Sequence, residues 1–136
     1  MSTKVKDGAL KNTRAYPAST TAVSSAGIDL ELTTRSEHCA HCEIVVTAVA
    51  LTTSQLPDAK VMIHTIEHDT DSAFGTATTL FTMGTQTGAG GAGAAAAEYR
   101  QKLPTNVKRY LRHKITPSAS GTGDASAATA TCELQF

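Results

Sequence analysis

The chain of 136 residues suits one domain with a modest core, and its 12 basic side chains balance 12 acidic ones, which speaks against a dedicated nucleic-acid binder. Hydrophobic residues make up 40% and charged residues 18%, both below the usual globular share, and alanine, threonine, serine and glycine fill the difference. That composition disfavours long helices and suits short strands joined by small-residue turns, and no apolar run approaches the ~18–20 residues of a membrane-spanning helix.

Residues 1–19 are polar and basic without clean periodicity, and read as an N-terminal arm or a loosely attached first strand; residues 20–136 read as the folded domain. The start has positive charge but no apolar stretch of a signal peptide, so synthesis and retention in a cytosol are expected. Val23 sits in a short strand. Ile28, Leu30 and Leu32 alternate with Asp29, Glu31 and Thr33 as a half-buried strand. Residues 34–42 form a polar loop. Glu43–Leu51 is the most apolar run and the best candidate for a central strand covered on both sides. Lys60–His68 and Thr78–Met83 are further strands, the first closed by a turn over Asp69–Gly75. Gly84–Gly93 holds five glycines and reads as a loop. The alanines at 94–97 would allow a helix, but a strand with Tyr99, Gln101 and Leu103 on one face is preferred.

Val107–Thr116 comes next. Odd positions Val107, Leu111 and Ile115 give a core-directed face, with Arg109 and His113 between them. Even positions Lys108, Tyr110, Arg112 and Lys114 give a wet cationic face. Three-and-four spacing also admits a helix over Val107–Lys114, but the flanking turns and short length favour the strand. In Ala125–Phe136, alanines, Cys132, Leu134 and Phe136 alternate with polar residues, the cleanest amphipathic strand of the chain. The sum is an all-β protein of about eight strands, a sandwich or a barrel.

Three candidate chemistries can be weighed. His38, Cys39, His41 and Cys42, with His64 and His68, have the ingredients of a zinc site. The gap between the pairs is too long for a zinc finger, and His64 and His68, four apart on a strand, would stand about 13 Å from one another. The expectation is therefore no metal and no cofactor, with Cys39, Cys42, His38 and His41 as the weak candidates. A redox pair at Cys39 and Cys42 would need a helix start after it, and the β-branched run there gives none. The acids of Asp69-Thr-Asp71 are too few for a calcium loop. No serine elbow, phosphate loop or matched acid–base pair of carboxylates occurs, so an enzyme is not expected.

Charge is unevenly placed along the chain. Arg100, Lys102, Lys108, Arg109, Arg112 and Lys114 crowd one segment, whereas most acids lie upstream. Two oppositely charged regions would suit docking onto copies of the chain or onto a larger assembly. A single tyrosine among the bases is thin for single-stranded nucleic acid, and arginine with tyrosine fits a protein contact better.

Three segments carry a family resemblance: Ser72-Ala73-Phe74, then Thr78-Thr79-Leu80-Phe81, then Lys102-Leu103-Pro104 through Val107-Lys108-Arg109-Tyr110-Leu111-Arg112. In this order, separated by a small-residue loop and followed by an alternating strand, the stretch from Ile44 to Phe136 resembles the small capsid cement (decoration) proteins of tailed bacteriophages. The resemblance implies a jelly-roll β-sandwich that dimerises, sits on the outer capsid surface of a virion, and bridges neighbouring major capsid protein subunits without catalysis. The expected contact residues are Tyr99, Arg100, Lys102, Arg109, Tyr110 and Arg112. The basic N-terminal arm and the His38–Cys42 loop depart from the family. The alternative is a carbohydrate- or receptor-binding sandwich of a viral fibre or spike, which would want exposed aromatic rings; the chain has no tryptophan.

Overall fold

The computed structural model describes residues 6–31 and 42–135. Nine strands and no helix occur among them: β1 (Lys6–Ala15), β2 (Val23–Ser24), β3 (Ile28–Asp29), β4 (Glu43–Ala48), β5 (Val61–Asp69), β6 (Thr78–Thr87), β7 (Ala97–Lys102), β8 (Tyr110–Pro117) and β9 (Thr129–Gln135). They form two antiparallel sheets of a jelly-roll-like sandwich. The first has the order β1-β9-β4-β7; the second has β2-β8-β5-β6, with β3 also pairing β8.

Period-two patterning sets the faces. On β8, Leu111, His113 and Ile115 are buried while Tyr110, Arg112, Lys114 and Thr116 are half-buried on the outer side. On β9, Ala130, Cys132 and Leu134 are buried. β4 is interior to its sheet, and Val45 on its outer side is as buried as Ile44 and Val46. Val45 lies in register between Arg100 and Glu133, whose long side chains can shield it.

The core has two apolar clusters. One gathers Ile44, Val46, Ile66, Leu111 and Leu134; the other gathers Tyr16, Leu56, Met62 and Ile115. Burying each large aliphatic side chain contributes roughly 1.5–3 kcal/mol.

Of the two readings of the N-terminal segment, an arm or a first strand, the structure has the strand over Lys6–Ala15, paired to β9, although KDGALKNTRA shows no alternation. β6 runs ten residues rather than six, through Gly84 to Thr87, because Gly84 is a packing position rather than a loop start: a Cβ there would lie 2.2 Å from the Tyr99 ring. The left-handed turn falls later, at Gly90, Gly91 and Gly93.

Candidate functional site

The six expected contact residues fall on two separate surfaces. Tyr99, Arg100 and Lys102 lie on β7, at the edge of the first sheet; Arg109, Tyr110 and Arg112 lie on or just before β8 in the second. Tyr99 turns inward, its ring 5.6 Å from that of His64.

The charged segments do not form opposite poles. Arg109 grips Asp29 with two hydrogen bonds of 2.8 Å, from Nε and Nη2 to the two carboxylate oxygens. Its guanidinium also stands 5.1 Å over the Tyr110 ring. Arg112 Nε donates to Glu67 Oε2 at 2.7 Å, and Lys114 Nζ to Glu67 Oε1 at 2.9 Å. Arg100 donates to Glu98 at 2.8 Å, to Glu43 at 3.2 Å and to Gln135 at 2.9 Å. Upstream acids and downstream bases are thus neighbours in the fold, and Arg100, Arg109, Arg112 and Lys114 are each paired within the chain. Hydrogen bonding from Arg109 holds the Asp29 carboxyl below its usual range. Burial pushes the Glu67 carboxyl up, but Lys114 and Arg112 together outweigh it and leave it low.

Two of the motif segments meet here. Phe74, from the first segment, packs beneath Arg112, from the third, with the guanidinium 4.5 Å from the ring centroid. Phe74 takes a positive φ of 54° in its turn, which bulky residues rarely adopt, and its ring closes on Gly27. Asp69 fastens the start of that turn: its carboxylate accepts from the backbone N–H groups of Thr70, Asp71 and Thr76 at 2.7, 3.3 and 2.9 Å.

A buried polar network crosses the sandwich, and it was not visible as a unit from the sequence. His64 and His113 lie side by side, Nδ1 to Nε2 at 3.0 Å. Ring planes 11° apart with centroids at 5.2 Å describe an edge-to-edge, nearly coplanar pair rather than a stack. Gln86 Nε2 donates to the carbonyls of Val49 (2.8 Å) and Ala95 (3.0 Å), which fixes its amide and leaves Oε1 as an acceptor. That oxygen receives Tyr16 O–H at 2.7 Å and His64 Nε2–H at 3.1 Å. His64 Nδ1 must then accept, so His113 Nε2 carries the proton and donates. His113 Nδ1 has no partner among the described residues. Burial first, then the neighbouring His64, pushes the His113 pKa down to about 3, and burial lowers that of His64. Both rings are therefore neutral at pH 7. The one available signal was His113 at a core-directed position of its strand.

Of the metal candidates, His38, Cys39 and His41 lie outside the described residues. Cys42 is buried in the first apolar cluster, and His68 Nδ1 accepts the Lys108 N–H at 3.2 Å. No group of three His, Cys, Asp or Glu side chains placed to hold a metal ion occurs among the described residues. Burial, aided by Glu133, pushes the Cys132 thiol up to about 12, which keeps it protonated. An open hollow of about 640 Å³ near one end of the sandwich is lined by Leu51, Thr52, Thr87, Ala92 and Ala94 among others, with no titratable side chain in its wall.

No family model and no curated protein matches this chain. Among solved structures, it is similar to the PBSX exported protein XepA, at 20% identity and a TM-score of 0.50, over 93% of this chain and 34% of that one. The chain thus spans about a third of the length of that structure. It is also similar to a structure of the infectious bursal disease virus Gx strain, at 11% identity and a TM-score of 0.42, over 98% of this chain and 31% of that one. The likeness to XepA is one of fold.

Proposed function

We propose that this chain is a structural virion protein, a capsid cement that binds the outside of a shell and bridges neighbouring major capsid protein subunits. The observation that carries the reading is the meeting of two of its motif segments: Phe74 packs under Arg112 of β8, far along the chain, in the turn that Asp69 fastens, with Glu67 holding Arg112 and the Thr78–Phe81 stretch following directly in β6. Two sheets locked by ion pairs on their outer sides supply a stiff body, which loses little entropy on docking. With Arg100, Arg109, Arg112 and Lys114 paired internally, the chain would recognise a shell by shape and a few polar groups rather than by bulk attraction. Each contact can be weak, because many copies engage one lattice.

Tyr110 with Arg109 is the aromatic–cationic pair best suited to touch the shell, and Arg100 and Lys102 offer a second surface; Tyr99 contributes by packing from within. The role needs no cofactor, nucleic acid or membrane, and it places the chain on the outer capsid surface after synthesis in a host cytoplasm.

The reading is tested by isolating particles from a producing culture on a density gradient and quantifying this chain against the main shell subunit. A fixed ratio that survives repeated banding is expected. Absence from the particles, or binding to glycans with no shell association, would overturn it.

A further inference from the structure

We propose that the outer edge of β7 is a self-association site, where two copies of this chain pair antiparallel about a two-fold axis at Arg100 and fuse their first sheets into one. The inference does not rest on the shell reading.

A sheet edge exposes a row of backbone donors and acceptors, and proteins usually blunt it. Three of the four edges described here are blunted. β1 carries a register shift between Lys6 and Lys11, and its Asn12 side chain donates to the Ala26 carbonyl at 2.9 Å. β2 and β3 are two residues each. β6 shifts register twice against β5. β7 alone keeps unbroken register, with all six residues from Ala97 to Lys102 matched to β4, and among the described residues no strand pairs its other side.

The geometry fixes which groups face outward. The Leu103 N–H donates to the Cys42 carbonyl at 3.0 Å, so alternate residues Gln101, Tyr99 and Ala97 also turn their backbone groups to β4. The N–H and C=O groups of Glu98, Arg100 and Lys102 therefore point away from it. These same three residues are exposed, and their side chains share the outer face.

Their order is self-complementary. An antiparallel pair centred on Arg100 sets Glu98 opposite Lys102 of the second copy, and Lys102 opposite Glu98, with about six backbone hydrogen bonds between the strands. The one like-charged meeting, Arg100 with Arg100, is relieved because each guanidinium is held back by its own Glu98, Glu43 and Gln135. Lys102 forms no ion pair with the described residues of its own chain, so its charge is available to the second copy. Charges on an edge usually repel strangers; this pattern admits a copy of itself.

The test is sedimentation velocity of the full chain over a concentration series. The wild type is expected to form a dimer. Lys102→Glu, which sets like charges opposite each other, is expected to weaken it at least tenfold. Glu98→Lys with Lys102→Glu is expected to restore it. Lys102→Glu also faces Glu43 within the chain, but so does the double variant, so rescue isolates the contact between copies. Circular dichroism checks that each variant folds. Amide exchange adds a second reading: protection at Glu98, Arg100 and Lys102 should rise with concentration. A wild type that stays monomeric at high concentration, a Lys102→Glu variant that dimerises equally well, or a double swap without rescue would overturn the proposal.

Discussion

Acidification should loosen this sandwich well before its carboxylates protonate, and His113 should account for much of the loss. The folded state holds His113 neutral, with a pKa of about 3, against an ordinary value near 6.5 in the unfolded chain. The unfolded chain therefore binds more protons between those limits, and stability rises with pH across that window. The contribution is complete above pH 6.5 and drains away as pH falls toward 3. At pH 5 the unfolded imidazole is almost fully protonated and the folded one is not, so His113 alone should cost about 2 kcal/mol relative to pH 8. His64 shifts in the same direction and adds to the effect. The low carboxyls of Asp29, Glu67, Asp69 and Asp124 begin to lose their contribution as pH falls into the ordinary carboxylate range, below the pH 5 end of this comparison. His113→Gln is the informative variant, because its amide can replace the Nε2–H donor to His64 without titrating. Urea unfolding at pH 8 and pH 5, followed by circular dichroism, should show a clear fall for the wild type and a fall smaller by about 2 kcal/mol for His113→Gln. Equal wild-type stability at both pH values, or an unchanged fall in the variant, would refute the account of the buried pair.

Two other predictions concern local construction. Glu67→Gln removes the charge that serves both Arg112 and Lys114 in a buried position and should cost about 1–3 kcal/mol in denaturant unfolding. Gly93→Ala should be far more damaging than Gly90→Ala: both glycines have positive φ, but a Cβ at 93 would lie 2.0 Å from the Leu51 carbonyl oxygen, whereas 90 faces open space. Roughly 1–2 kcal/mol for the backbone alone is expected at 90 and several at 93, read as midpoints of unfolding.

Strands with a buried side were legible because burial imprints a period of two. The alternation in β8 and β9 gave the faces directly, and the apolar run of β4 gave its interior place. β1 was legible only as one of two alternatives: as an edge strand it owes its form to hydrogen bonds with β9 rather than to a buried stripe. β6 was read short because glycine ordinarily marks a turn, whereas Gly84 clears space for the Tyr99 ring. The site was less legible than the fold. Charge counts along the chain suggested two poles, yet β8 lies beside β5 and β3, which puts Arg112 opposite Glu67 and Arg109 beside Asp29. His64 was weighed as a partner of His68, four residues away; its true neighbour, His113, is 49 residues on, and only strand order could have revealed it.

The account turns on a stiff two-sheet body seated on a repeating protein surface. A density map of the native particle, at a resolution that distinguishes strands, tests this most directly. The account predicts a two-layer density for this chain at regular positions outside the shell, spanning the boundary between subunits. A bare shell, with the chain confined to a fibre tip or missing from the particle, would contradict it.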